Sequence, residues 1–127
     1  MERVQGIGGI FFKAKDPKAL ATWYADNLGI EIEGWGGAQF RWADLDPERR
    51  ATTVWSPFAE TTGYFAPSEK PFMLNFRVAS LDRMLDQLRA NGVTVDEKVQ
   101  RSEYGHFGWC MDPEGNRVEL WEPPHAA

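Results

Sequence analysis

An α+β fold of two βαβββ modules, curled together into one mixed sheet around a cleft, is the architecture this sequence predicts. The first observation behind it is an internal repeat: FRWADLDPERRATTVWSP at residues 40–57 and FGWCMDPEGNRVELWEP at 107–123 share one skeleton. Phe40 answers Phe107 and Trp42 answers Trp109, an offset of 107 − 40 = 67. Asp46-Pro47-Glu48 answers Asp112-Pro113-Glu114, and Trp55 and Pro57 answer Trp121 and Pro123, an offset of 121 − 55 = 66. Self-similarity at about half the chain length points to two structural units. The second observation is that each half runs from a strand into a capped helix and then into further strands. The third is bulk: 127 residues at 43% hydrophobic content suit one domain with a shared core better than two independent ones.

Taken in order, IGGIFFKA at 7–14 alternates as a strand, with Ile10, Phe12 and Ala14 on one face and Gly9, Phe11 and Lys13 on the other. Asp16-Pro17 supplies an N-cap and a first-turn proline, and Leu20, Trp23, Tyr24 and Leu28 recur at helical spacing until Gly29. Further strands are expected over 30–57, with the Asp46-Pro47-Glu48 turn between two of them. FAETTGYFAPSEKP at 58–71 reads as a polar connector. The second half replays the order. Leu74, Phe76 and Val78 form a strand face, Ser80 caps a helix carrying Leu81, Leu85 and Leu88, and Asn91-Gly92 ends it. Strands from about residue 93 close with Asp-Pro-Glu-Gly-Asn, whose Gly115 and Asn116 suit positive φ. The expected organisation is a single domain over 1–127: module one at about 4–57, connector 58–71, module two at about 72–123.

Each helix must cover the apolar face of its opening strand, so the opposite face, with Gly9, Phe11, Lys13, Met73, Asn75 and Arg77, looks into the enclosed space. In the closing strand Val118 and Leu120 take the helix side, which leaves Arg117, Glu119 and Trp121 on the enclosed side. By repeat, Thr53 and Trp55 join them. Candidate ligand-binding residues are therefore Phe11, Trp42, Trp55, Met73, Asn75, Arg77, Phe107, Trp109, Glu119 and Trp121. Tryptophans on facing walls suit a planar or apolar organic molecule, with Glu119, Arg77 and Lys13 meeting its polar groups. Glu119 is also the candidate catalytic base, a role that needs burial or a dry neighbour; the bland alternative is a carboxylate paired with Arg77 or Arg117. His106 alternates away from Phe107 and Trp109 and reads as a surface or core imidazole, Cys110 as a buried thiol, and His125 as part of an unstructured tail.

Formal charge is 14 − 19 = −5 with no run of like charges, which argues against a nucleic-acid partner. MERVQGIGG has no apolar stretch suited to a signal peptide or a membrane span. Cys110 stands alone, so no intramolecular disulfide is possible and a reducing, cytoplasmic setting is expected.

Paired βαβββ modules, an opening strand running into Asp-Pro and a helix, and DPEGNRVELWEP near the C-terminus together resemble the vicinal oxygen chelate superfamily, the glyoxalase / bleomycin resistance protein / dioxygenase group. The resemblance implies a cleft between the modules and a homodimer. In metal-dependent members, ligands sit on the opening and closing strands of each module, and those places fall here on Gly9, Thr53, Met73 and Glu119. Glycine offers no side chain, threonine is a poor neutral donor, and a thioether suits soft ions. One carboxylate does not hold a divalent ion by itself. The expectation is therefore no metal and no cofactor, and a binding protein of the bleomycin-resistance kind that encloses a small aromatic or apolar molecule. The alternative is a glyoxalase-like lyase or isomerase with a rebuilt metal site or with Glu119 as general base. A pseudo-enzyme that binds a partner is a third possibility without a positive sign in the chain.

Overall fold

The computed structural model describes residues 1–41 and 52–124. Trp42, the Asp46-Pro47-Glu48 turn and His125 lie outside the described residues. Elements follow in the order β1 (Val4–Ala14), α1 (Pro17–Leu28), β2 (Ala38–Arg41), β3 (Thr52–Ala59), β4 (Phe72–Val78), α2 (Leu81–Ala90), β5 (Gln100–Ser102), β6 (Gly105–Met111) and β7 (Arg117–Glu122). The second module is a full βαβββ unit. In the first, two strands follow the helix among the described residues. Where another could form, Glu33–Gly37 instead makes a tight turn, with Gly36 N donating to Glu33 O at 2.9 Å and Glu33 N to Gly37 O at 2.8 Å. Three glycines in that stretch weaken any strand there.

The described strands join one curled mixed sheet in the order β2-β3-β1-β4-β7-β6-β5. The modules meet where β1 and β4 pair antiparallel, and each opening strand pairs in parallel with its module's closing strand, β1 with β3 and β4 with β7. β2 and β6 then pair antiparallel on the outer sides. This symmetric layout is what places both closing strands beside the centre of the sheet.

The helices start where their caps dictate. Asp16 Oδ1 accepts from Ala19 N at 3.0 Å with Pro17 next in the chain, and Gly29, at φ 67°, ends α1. Ser80 Oγ accepts from Arg83 N at 3.3 Å at the start of α2, and Glu122 Oε1 at the end of β7 takes the neighbouring Leu81 N at 2.8 Å. No described helix is long and apolar enough to cross a membrane.

Apolar residues divide between the two faces of the sheet. On the helix side Val78, Leu81, Met84, Leu85, Cys110 and Leu120 form a core beneath α2, so the Cys110 thiol is an apolar filler. Gly108 lets α2 approach, since a Cβ there would stand 3.2 Å from Leu81 and Leu85. On the other face Phe11, Phe65, Met73 and Trp109 pack together. His106 leaves both cores and meets Arg101 Nη1 at 3.0 Å on the surface. In the final turn only Gly115 takes positive φ; Asn116 does not, and its side chain donates instead to Asp112 Oδ2 at 2.7 Å.

Candidate functional site

Register on three adjacent strands builds the centre of the site. Asn75 on β4 stands opposite Glu119 on β7, and Glu119 stands opposite Trp109 on β6, so the three side chains form a row on the concave face. Glu119 is 1% exposed. Its Oε1 accepts from Asn75 Nδ2 at 2.6 Å, and its Oε2 accepts from Trp109 Nε1 at 2.8 Å and from the Tyr64 hydroxyl at 2.5 Å. Burial pushes the Glu119 carboxyl above the usual carboxylate range, against the pull of these three donors and of the Arg117 charge. Burial likewise pushes the Tyr64 phenol upward, and the adjacent Glu119 adds to it, so Tyr64 acts as a donor.

Tyr64 reaches this row from the connector. Its ring stacks on Phe58 at 5.6 Å with an interplanar angle of 10°, and Arg117 Nη1 donates to its carbonyl. The same guanidinium lies 4.9 Å from the Trp109 ring centroid, and its other nitrogen is 3.6 Å from Asp96 Oδ2. Asn75 is 3% exposed, and its Oδ1 is buried with no donor among the described residues. That oxygen occupies the space beside Gly8, where a Cβ would come within 2.1 Å of it.

In front of the row lies a cavity of about 510 Å³, within the usual range for small-molecule sites. One wall comes from the first module, through Phe11, Val54, Ser56 and Phe58. The other comes from the second, through Asn75, Phe107, Glu119 and Trp121, so both modules line the cleft. Phe107 and Trp121 face each other in register and stack at 6.3 Å and 18°. Trp121 Nε1 donates to Tyr104 O at 2.8 Å, tying the wall to the mouth. There Trp35 and Tyr104 also line the cavity, while remaining 51% and 67% exposed.

Of the residues expected at the site, Phe11, Asn75, Phe107, Glu119 and Trp121 line this cavity. Met73 and Trp109 stand one layer behind, in the buried aromatic cluster. Arg77 pairs in register with Trp121 but does not line the cavity, and Lys13 sits 5.9 Å over the Phe65 ring instead. Trp55 requires a correction. A parallel ladder puts paired residues on the same face, and Trp55 pairs with Ile10, which faces the helix side. Its ring packs on Tyr24 at 4.7 Å and Phe12 at 5.6 Å, away from the cavity. Thr53, two residues away, shares that orientation. The even offset that matched Trp55 to Trp121 was out of phase with the pleat, and Thr52, Val54 and Ser56 are the residues that face the cavity.

The same register corrects the metal-ligand positions. Matching Gly9 to Met73 matches Phe11 to Asn75, and the β3 and β7 partners of these two are Ser56 and Glu119. Ser56, not Thr53, is thus the counterpart of Glu119. The four positions become Gly9, Ser56, a wholly buried Met73 and a carboxylate whose oxygens already accept three hydrogen bonds. Among the described residues no three His, Cys, Asp or Glu side chains come together. This donor set does not fit a divalent ion.

Tyr64, Phe58, Trp35, Gly8 and Ser56 were not legible as site residues. The signal for Tyr64 was present: Tyr64-Phe65 is an adjacent aromatic pair inside a stretch read as polar.

The family model for the glyoxalase-like domain matches residues 9–121. No curated protein sequence matches significantly. Among solved structures, the chain is similar to methylmalonyl-CoA epimerase from Mycobacterium tuberculosis, at 23% identity over 96% of this chain and 90% of that one, with a TM-score of 0.63. It is also similar to a Streptomyces coelicolor methylmalonyl-CoA epimerase variant in complex with 2-nitronate-propionyl-CoA, at 14% identity over 98% of each chain and a TM-score of 0.69. A glyoxalase/bleomycin resistance protein/dioxygenase superfamily member from Vibrio splendidus 12B01 matches at 12% identity over 96% and 99%, with a TM-score of 0.54. At such identities the structural likenesses establish the fold alone. With the family model spanning almost the whole chain, the protein belongs to the glyoxalase-like domain family.

Proposed function

We propose that the protein binds a small, planar and largely apolar organic molecule in this cavity without using a metal ion. The observation that carries the reading is the cavity wall itself: aromatic rings from both modules surround about 510 Å³, and the deeply buried Glu119 carboxylate is held in place by three donors. Such a wall stabilises a flat guest by apolar burial and ring stacking, and few polar anchors are needed to orient it. Catalysis by Glu119 as a general base is less well supported. A carboxylate that accepts from Tyr64, Trp109 and Asn75 has most of its lone-pair capacity engaged before any substrate arrives.

Two further parts belong to the same reading. A homodimer is supported by Ile10, Leu74 and Phe72, which are exposed apolar residues on the adjacent central strands β1 and β4. Cytoplasmic residence is supported by a lone cysteine kept as a buried thiol.

The test is a titration with 2-naphthalenemethanol, followed by quenching of tryptophan emission, together with native mass spectrometry of the purified protein. Saturable binding that survives EDTA and falls at least about fivefold in Phe107→Ala is the expected result, since losing a stacked ring costs on the order of 1 kcal/mol or more. A stoichiometric nickel, zinc, iron or manganese ion, with binding abolished by EDTA, would overturn the reading.

A further inference from the structure

The described ionisable side chains that line the cavity are all acids. Among the described residues that line it, the ionisable side chains are Glu103, Glu119, Tyr64 and Tyr104; none is Lys, Arg or His. Three described cations near the wall are engaged elsewhere. Lys13 lies over Phe65, Lys98 lies 5.9 Å from the Trp109 ring centroid behind the wall, and Arg117, also behind it, faces Asp96 at 3.6 Å. An anion entering here would lose its water and meet a carboxylate and the electron-rich faces of aromatic rings. Asn75, nearly wholly buried on the cavity wall, donates one amide N–H to Glu119, so the carboxylate and the amide together mark one polar end of an otherwise aromatic cavity.

Resting on the binding reading above, we infer that the guest is an organic cation: an aromatic or apolar body carrying a protonated amine, with the ammonium directed to the Asn75–Glu119 end and the body between the rings. Aromatic walls combined with a buried carboxylate favour an ammonium over a neutral group of the same shape.

The experiment compares three probes with one ring system, 2-naphthylmethylammonium, 2-naphthalenemethanol and 2-naphthoate, by isothermal titration calorimetry at pH 7.5 on the intact protein. Tightest binding is expected for the ammonium, by at least tenfold over the alcohol, with the carboxylate weakest. Equal affinity for ammonium and alcohol, or tighter binding of the carboxylate, overturns the cation assignment while leaving an aromatic binding cavity in place. Failure of all three to bind overturns the cavity reading and this inference with it.

Discussion

Tyr64→Phe isolates the polar centre of the site. The change removes one oxygen, the donor 2.5 Å from Glu119 Oε2, and keeps the ring that stacks on Phe58. A hydrogen bond to an ionised group is worth about 1.5–3 kcal/mol, so the variant should lose about that much stability wherever Glu119 is charged. The pH dependence has a definite sign. Burial raises the folded Glu119 above the ordinary value of 4.5, so the folded state binds the proton more tightly than the unfolded chain does. Stability from this group is therefore fully present below pH 4.5 and is lost as pH rises through the folded value. Tyr64→Phe pushes that folded value higher, so its cost should grow as pH rises from the folded value of the unmodified protein through that of the variant. Urea unfolding of both proteins between pH 4 and pH 9 measures it. A constant difference across that range, or one under about 0.5 kcal/mol at pH 9, would refute a Tyr64 hydroxyl that donates to an ionised Glu119.

Trp109→Phe should also cost about 1.5–3 kcal/mol at pH 8 by removing the indole donor to Glu119, again measured by urea unfolding. Gly8→Ala places a Cβ within 2.1 Å of Asn75 Oδ1, so Asn75 must swing away and release Glu119. A loss of at least about 1 kcal/mol is expected, with a shifted Asn75 side-chain amide resonance as its signature. Trp55→Leu should lower the thermal midpoint by several degrees and leave the affinity for 2-naphthylmethylammonium unchanged, because Trp55 packs on Tyr24 and Phe12 across the sheet from the cavity. Ser56→Leu adds volume inside the cavity without touching the Glu119 donors, and should abolish probe binding while leaving the folded protein intact by circular dichroism.

Much of this architecture was legible because local signals agreed with one another. Asp16-Pro17 and Ser80 mark helix starts through their side-chain chemistry, and the alternation around Phe11 and Phe76 assigns faces without reference to the rest of the chain. Asn75, Glu119 and Trp121 followed from that alternation. Errors arose where a position depended on something other than its own strand. Trp55 was placed by similarity to Trp121, yet its direction is set by its pairing with Ile10, and a shift of one residue in a pleated strand reverses every side chain. Tyr64 could not be placed from sequence because it enters through a connector, where no period constrains direction. Its position depends on Phe58 and Arg117, which are distant from each other in the chain.

The two modules share a backbone plan, and the cavity comes from where their side chains diverge. In the second module the row is Asn75, Glu119 and Trp109. Its register counterparts in the first begin with Phe11 and Ser56, and one step beyond the Ala38–Trp55 pair the place of Trp109 falls to Gly37. Tryptophan is matched by glycine and glutamate by serine. Side chains this much smaller on one side of a symmetric sheet leave volume that close packing would otherwise fill. Trp35 reclaims part of it, since its ring lies within 2.2 Å of where a Gly37 Cβ would stand. The remainder is open space with an apolar side at Phe11 and Val54 and a polar side at Asn75 and Glu119. The organic cation proposed above, with two unlike ends, would fit this division.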